Sequence, residues 1–146
     1  MRTLRAALLA IFAVGVLGTG AELLLLEHTE DVWQWIPLVL MAISAVVLVW
    51  LVAVGGRASL RSFQTTMALF VLSGFVGLFL HYRGNVEFEI EMYPTRSGFE
   101  LFWEAIRGAT PALAPGTMLQ LGLLGLAFTY RYPDSARAKP ATTTKE

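Results

Sequence analysis

Cysteine is absent from this chain and charge is scarce: only 15% of its 146 residues are Asp, Glu, Lys or Arg. Without cysteine there is no disulfide framework, no thiolate metal site and no thiol nucleophile. A soluble globular domain carries about 25% charged residues, so the shortage argues against an ordinary soluble fold. Histidine is limited to His28 and His81. Phosphate loops, dinucleotide fingerprints and serine nucleophile motifs are missing. No basic surface of the size that nucleic acid requires is present. Lys and Arg are missing from every long apolar run, which excludes a voltage sensor.

What is there is apolar: 55% of the chain is hydrophobic. Four runs, residues 6–26, 36–54, 63–80 and 111–130, approach or reach the roughly 20 residues that cross a bilayer core. Lipid offers no partner to a backbone N–H or C=O, so each run must pair its own groups as an α-helix. Transmembrane strands would be about half as long and would alternate in polarity. The expected fold is an all-α integral membrane protein with four transmembrane helices in two hairpins. Residues 1–132 form the transmembrane domain, and 133–146, rich in Ala, Thr, Lys and Pro, form a disordered tail.

Charge placement sets the orientation. One set of flanks holds Arg2, Arg5, Arg57, Arg61, Arg131, Arg137, Lys139 and Lys145 against Asp134 and Glu146. The other holds Glu27, Glu30, Asp31, Glu87, Glu89, Glu91, Glu100 and Glu104 against Arg83, Arg96 and Arg107. Basic flanks stay in the cytoplasm, so both termini are expected inside and the acidic loops outside, as in a bacterial inner membrane. Trp33, Trp35 and Trp103 then mark the outer interface, and Trp50, Tyr130 and Tyr132 the inner one. A cleavable signal peptide is the alternative reading of the start, with Arg2 and Arg5 before an apolar run. That run continues through Leu26, which suits a span better, and cleavage would leave the remaining orientation unchanged.

The outer segment 81–110 has its own pattern. Val86, Phe88, Ile90 and Met92 alternate with Glu87, Glu89 and Glu91, a period of two that predicts an extended strand with Phe88 and Ile90 buried. Ser97 and Glu100 form a capping box for an amphipathic surface helix over 99–107, apolar through Phe99, Phe102, Trp103 and Ile106. Pro37 is expected in the first turn of the second helix, where its missing N–H costs nothing. The sequence 114–116, Ala-Pro-Gly, should bend or delay the last helix and open a pocket under the outer loop.

Six residues are candidate metal ligands: Glu22, Glu27, His28, His81, Glu87 and Glu89. Glu22 is the one carboxylate inside an apolar run, roughly 7 Å below its outer end at 1.5 Å per residue. A charge at that depth must be neutralised, hydrated or paired. Gly15 and Gly18 share its face and mark a close-packing side, so Glu22 should face the bundle, near His28 or His81. Gly74, Gly77 and His81 repeat the same i, i+3, i+7 spacing on the third run. The bland reading is chance; the sharper one is a duplicated hairpin whose polar groups face each other. Imidazole with carboxylate suits zinc, manganese, iron or copper, yet no H-E-x-x-H or E-x-x-H spacing occurs, and solvated helix ends explain the same residues. Gln120, Thr65, Thr66, Ser73 and Thr117 are expected to hydrogen-bond between helices.

The sequence therefore predicts a small, non-enzymatic inner-membrane protein that binds a divalent metal ion, another cation or a partner protein through an acidic, histidine-containing outer face. Its partners are the lipid bilayer, a protein on that face and a second copy through the glycine faces, with no nucleic acid. A pure interaction subunit without ligand is one alternative. A membrane-embedded metalloenzyme using His28, His81, Glu22 and Glu27 is the other.

Overall fold

The computed structural model of the chain describes residues 2–108 and 110–132, so the expectation of a disordered tail lies outside the described residues. Five helices follow in order: α1 (Arg2–Leu25), α2 (Val32–Ala53), α3 (Arg57–Met92), α4 (Gly98–Ile106) and α5 (Gly116–Thr129). Three of them, α1, α2 and α3, are long and apolar enough to cross a membrane. The fourth expected span contains α5, which is apolar but has 14 residues. At about 21 Å it falls short of a hydrocarbon core of roughly 30 Å.

Pro111 and Pro115 account for the shortfall. Each removes a backbone donor and disfavours helix at the residue before it. Residues 112–115 accordingly run as tight turns, closed by Ala114 N–H to Pro111 O (3.1 Å) and Gly116 N–H to Leu113 O (2.9 Å). The last helix is delayed, as 114–116 suggested.

Neighbouring helices run antiparallel around α3, which packs against α2 and α5, while α1 packs mainly on α5. Arg5 donates to the Tyr130 carbonyl at 3.1 Å and to the Arg131 carbonyl, so the start of α1 and the end of α5 share one end of the bundle. We call this the basic end, and the opposite one, with the 26–31 and 93–97 loops, the acidic end. The centre is aromatic. Phe12 meets Phe63 at 5.7 Å between ring centroids, and Phe63 meets Phe128 at 6.0 Å. In lipid the apolar effect does not drive helices together, so close fit and dispersion must do so. Glycine supplies the fit. A Cβ built at Gly74 would lie 2.7 Å from the Leu119 nitrogen, and one at Gly122 would lie 2.7 Å from the Met67 carbonyl oxygen.

Several local expectations are corrected. Residues 86–92 are not a strand; α3 continues as helix to Met92. The alternation spans only seven residues, and what decides the conformation is the pair Asn85 and Glu89, one helical turn apart, both buried toward α4. Phe88 and Ile90 are 47% and 44% exposed, not buried. At the start of α4, Ser97 is the cap residue but makes no side-chain capping bond; Gly98 adopts φ +59°, and Glu100 turns to Arg96 at 3.5 Å instead.

Pro37 lies in the second turn of α2, because that helix starts at Val32 and not at residue 36. The Asp31 side chain accepts Trp33 N–H (2.7 Å) and Gln34 N–H (3.1 Å), and Gln34 Oε1 accepts the Glu30 N–H (2.7 Å). Asp31→Ala should cost about 1 kcal/mol and raise amide exchange over 32–35; Asp31→Asn should restore protection, and equal exchange in Ala and Asn variants would refute the cap.

The expected polar bonds between helices are also redistributed. Thr66 donates back to Ser62 O within its own helix (2.9 Å), and Gln120 is exposed. A side-chain bond between α3 and α5 joins Gln64 Nε2 to Thr129 Oγ1 at 3.4 Å.

Candidate functional site

α1 ends in a Schellman turn: His28 N–H donates to Leu23 O (2.9 Å) and Glu27 N–H to Leu24 O (3.1 Å). Glu27 holds the left-handed position of that turn at φ 52°. The reversal swings His28 back toward the bundle. On α3, His81 Nδ1 lies 3.2 Å from the Pro111 carbonyl oxygen. In the tautomer that donates there, Nε2 is left as an acceptor. The two imidazoles stand 6.3 Å apart between centroids, tilted by 49°. Neighbouring histidines from sequence positions 28 and 81 are the clearest tertiary outcome of the fold at this end.

Both histidines line a partly open cavity of about 1030 Å³ at the acidic end, between α1, α2, α3 and the 110–118 turns. Its mouth is polar, with Glu22, Asp31, Arg83 and Glu87 beside the histidines; its depth is apolar, with Leu40, Leu69, Leu72, Val76 and Met118. The glycines explain why it exists. A Cβ on Gly15 would lie 2.5 Å from the Leu121 side chain, and one on Gly77 would lie 2.6 Å from Pro115. The glycines on the matching faces of α1 and α3 thus both pack on the α5 segment. Because α5 begins only at Gly116, nothing helical fills the level one turn above. Glu22 and His81 sit at that level and border the gap. Gly18 has open space beside it, so it is no part of the close-packing face.

The six candidate ligands separate into two groups. Glu22, His28, His81 and Glu87 line the cavity, whereas Glu27 and Glu89 are not among its lining residues. Glu89 is 8% exposed and is ion-paired to Arg96, whose guanidinium lies 3.8 Å from the centroid of the Tyr93 ring. That arrangement fastens the end of α3 to the loop before α4. Glu87 pairs with Arg83 at 2.8 Å, an exposed i, i+4 contact of small energetic weight. Glu22 has no hydrogen-bond or ion-pair partner for its carboxylate among the described residues. Among the described residues, no three His, Asp or Glu side chains converge as a group that could hold a metal ion.

Two contributors escaped the sequence reading. Trp33 and Arg83 both line the mouth, the first carried there by the Asp31 cap and the second one helical turn before Glu87. The D-x-x-Q spacing of Asp31 and Gln34 was the available signal for the cap. Asn85 is a structural clamp: its Nδ2 donates to Ala105 O (2.8 Å) and Thr110 O (2.7 Å), and its Oδ1 accepts the Thr110 N–H (3.2 Å). It ties the chain after α4 to α3 and holds Pro111 over His81.

Comparison of the chain with protein-family models, curated proteins and solved structures finds no match.

Proposed function

We propose that this chain is a non-enzymatic, multi-span membrane subunit of the bacterial inner-membrane type, which captures a cationic ligand at its acidic-end cavity. Both described ends lie at the basic end, and the positive-inside rule puts that end in the cytoplasm. The residues 111–130, turns and α5 together, complete the fourth crossing. The observation that carries the reading is a cavity mouth where Glu22, without a partner among the described residues, joins two neighbouring histidines and two further carboxylates against one arginine. Glu22 is exposed at the mouth, and an unpaired carboxylate above an apolar wall attracts a cation that pairs its charge.

The test is equilibrium dialysis of the purified chain against zinc, tetramethylammonium and tetraphenylphosphonium chlorides. At least one should bind, and Glu22→Gln, which keeps the shape and removes the charge, should weaken it by roughly tenfold or more while leaving the circular dichroism spectrum unchanged. Glu22-independent behaviour of all three would sink the proposal.

A second reading has its own observation. α3 has 36 residues, about 54 Å of helix, so its acidic end projects well past a core of roughly 30 Å. Phe88, Met92 and Phe99, the last 75% exposed, lie on or beside that projection. They suit a partner protein on the outer face. A photo-crosslinker at residue 99 should then capture a defined protein partner, with lipid as the contrary result.

A further inference from the structure

We propose that the acidic-end cavity takes a lipophilic organic monocation, its charged head beside Glu22 and Trp33 and its apolar body against Leu40, Leu72, Val76 and Met118. This rests on the cation-capture reading and names the class of ligand.

Size comes first. A metal ion with six waters needs roughly 200 Å³, at about 30 Å³ per water, whereas the cavity offers about 1030 Å³. That is the range of sites that enclose organic ligands. Donor chemistry agrees. Hard divalent ions want six or more oxygen ligands and zinc wants four donors, and among the described residues no three His, Asp or Glu side chains come together in that way. The cavity wall below the mouth is aliphatic, a surface that solvates hydrocarbon and not a hydrated ion.

Charge selects the sign. The mouth carries Glu22, Asp31 and Glu87 against Arg83. Asp31 is occupied in capping α2 and Glu87 in pairing Arg83. Among the described residues Glu22 is left without a partner, and three carboxylates against one guanidinium make the mouth negative, so it takes a cation and turns an anion away. Trp33 lines the same mouth, and an indole face attracts a weakly hydrated organic cation more strongly than other side chains do. Access fits an amphiphile as well. α1 and α2 are consecutive helices that pack only loosely on each other, so the cavity lies beside a loosely closed seam, and a ligand already partitioned into lipid can enter sideways.

Tetraphenylphosphonium and tetraphenylborate have nearly the same shape and opposite charge, which makes them the decisive probes. The full chain in phosphatidylcholine nanodiscs is titrated with each, against empty nanodiscs as background, alongside Glu22→Gln and Trp33→Leu variants checked for fold by circular dichroism. Expected are saturable binding of the phosphonium, none of the borate above background, a loss of roughly tenfold or more in Glu22→Gln and a smaller loss in Trp33→Leu. Glu22-dependent binding of zinc or tetramethylammonium without phosphonium binding would overturn this inference and leave cation capture standing. Equal binding of phosphonium and borate, unaffected by Glu22→Gln, would mark a groove for acyl chains and overturn both. Absence of any cation binding would also overturn both.

Discussion

Replacing Asn85 by Leu should destabilise the protein by about 2 kcal/mol, since a buried group left unpaired costs roughly 1–3 kcal/mol: the buried Ala105 carbonyl loses its partner, while the Thr110 carbonyl and N–H belong to an exposed residue and can turn to water. Asn85 is 2% exposed, and Ala105 O, Thr110 O and Thr110 N–H all bond to its amide. The consequence extends to the cavity, because Thr110 and Pro111 line it and the Pro111 carbonyl holds His81. Unfolding of the purified variant in mixed micelles should show the loss, and hydrogen exchange should rise over 105–116 while 63–75 stays protected. Asn85→Asp keeps the acceptor but turns a carboxylate oxygen onto the Ala105 and Thr110 carbonyl oxygens, so it should be at least as destabilising as Leu. Wild-type protection of 105–116 in the Leu variant would show that the clamp contributes nothing.

Gly122→Leu should break the packing of α5 on α3 outright, and Gly122→Ala should already cost about 2 kcal/mol as an overpacked contact. A Cβ there would lie 2.7 Å from the Met67 carbonyl oxygen and 2.9 Å from the Val71 nitrogen. Both are backbone atoms of a helix and cannot step aside as a flexible side chain would. Gly18→Ala is the matched control. With nothing within 4 Å, the added methyl should be neutral, or stabilising by up to about 1 kcal/mol through helix propensity. Stability in mixed micelles separates the pair. If Gly122→Ala is as stable as Gly18→Ala, α5 does not approach α3 as closely as described.

Glycine positions were visible in the sequence, but their partners were not. Gly15 and Gly74 looked like two faces that meet, since both precede a polar group at the same spacing. They meet α5 instead, through Leu121 and Leu119. Spacing fixes which residues share a helix face, and a third helix can satisfy two such faces at once. The likeness between Glu22 and His81 was therefore legible, and its consequence, a shared cavity, depended on where α5 starts.

Apolar length, and with it helices, follows from the chain alone, because lipid leaves the backbone no other way to pair its polar groups. The same holds for the division into a basic and an acidic end, and for the late start of α5, where Pro115 and Gly116 act on their own neighbours. These are properties of short segments. The continuation of α3 to Met92 is of another kind. Seven alternating residues satisfy strand and helix equally, and the choice falls to Asn85 and Glu89, whose partners Ala105, Thr110 and Arg96 come from up to 25 residues further on. The meeting of His28 with His81, and the loss of Glu27 and Glu89 from their company, were likewise decided only by tertiary structure. A histidine's residue type announces what it can bind, but the separation of two rings depends on every turn and contact between them.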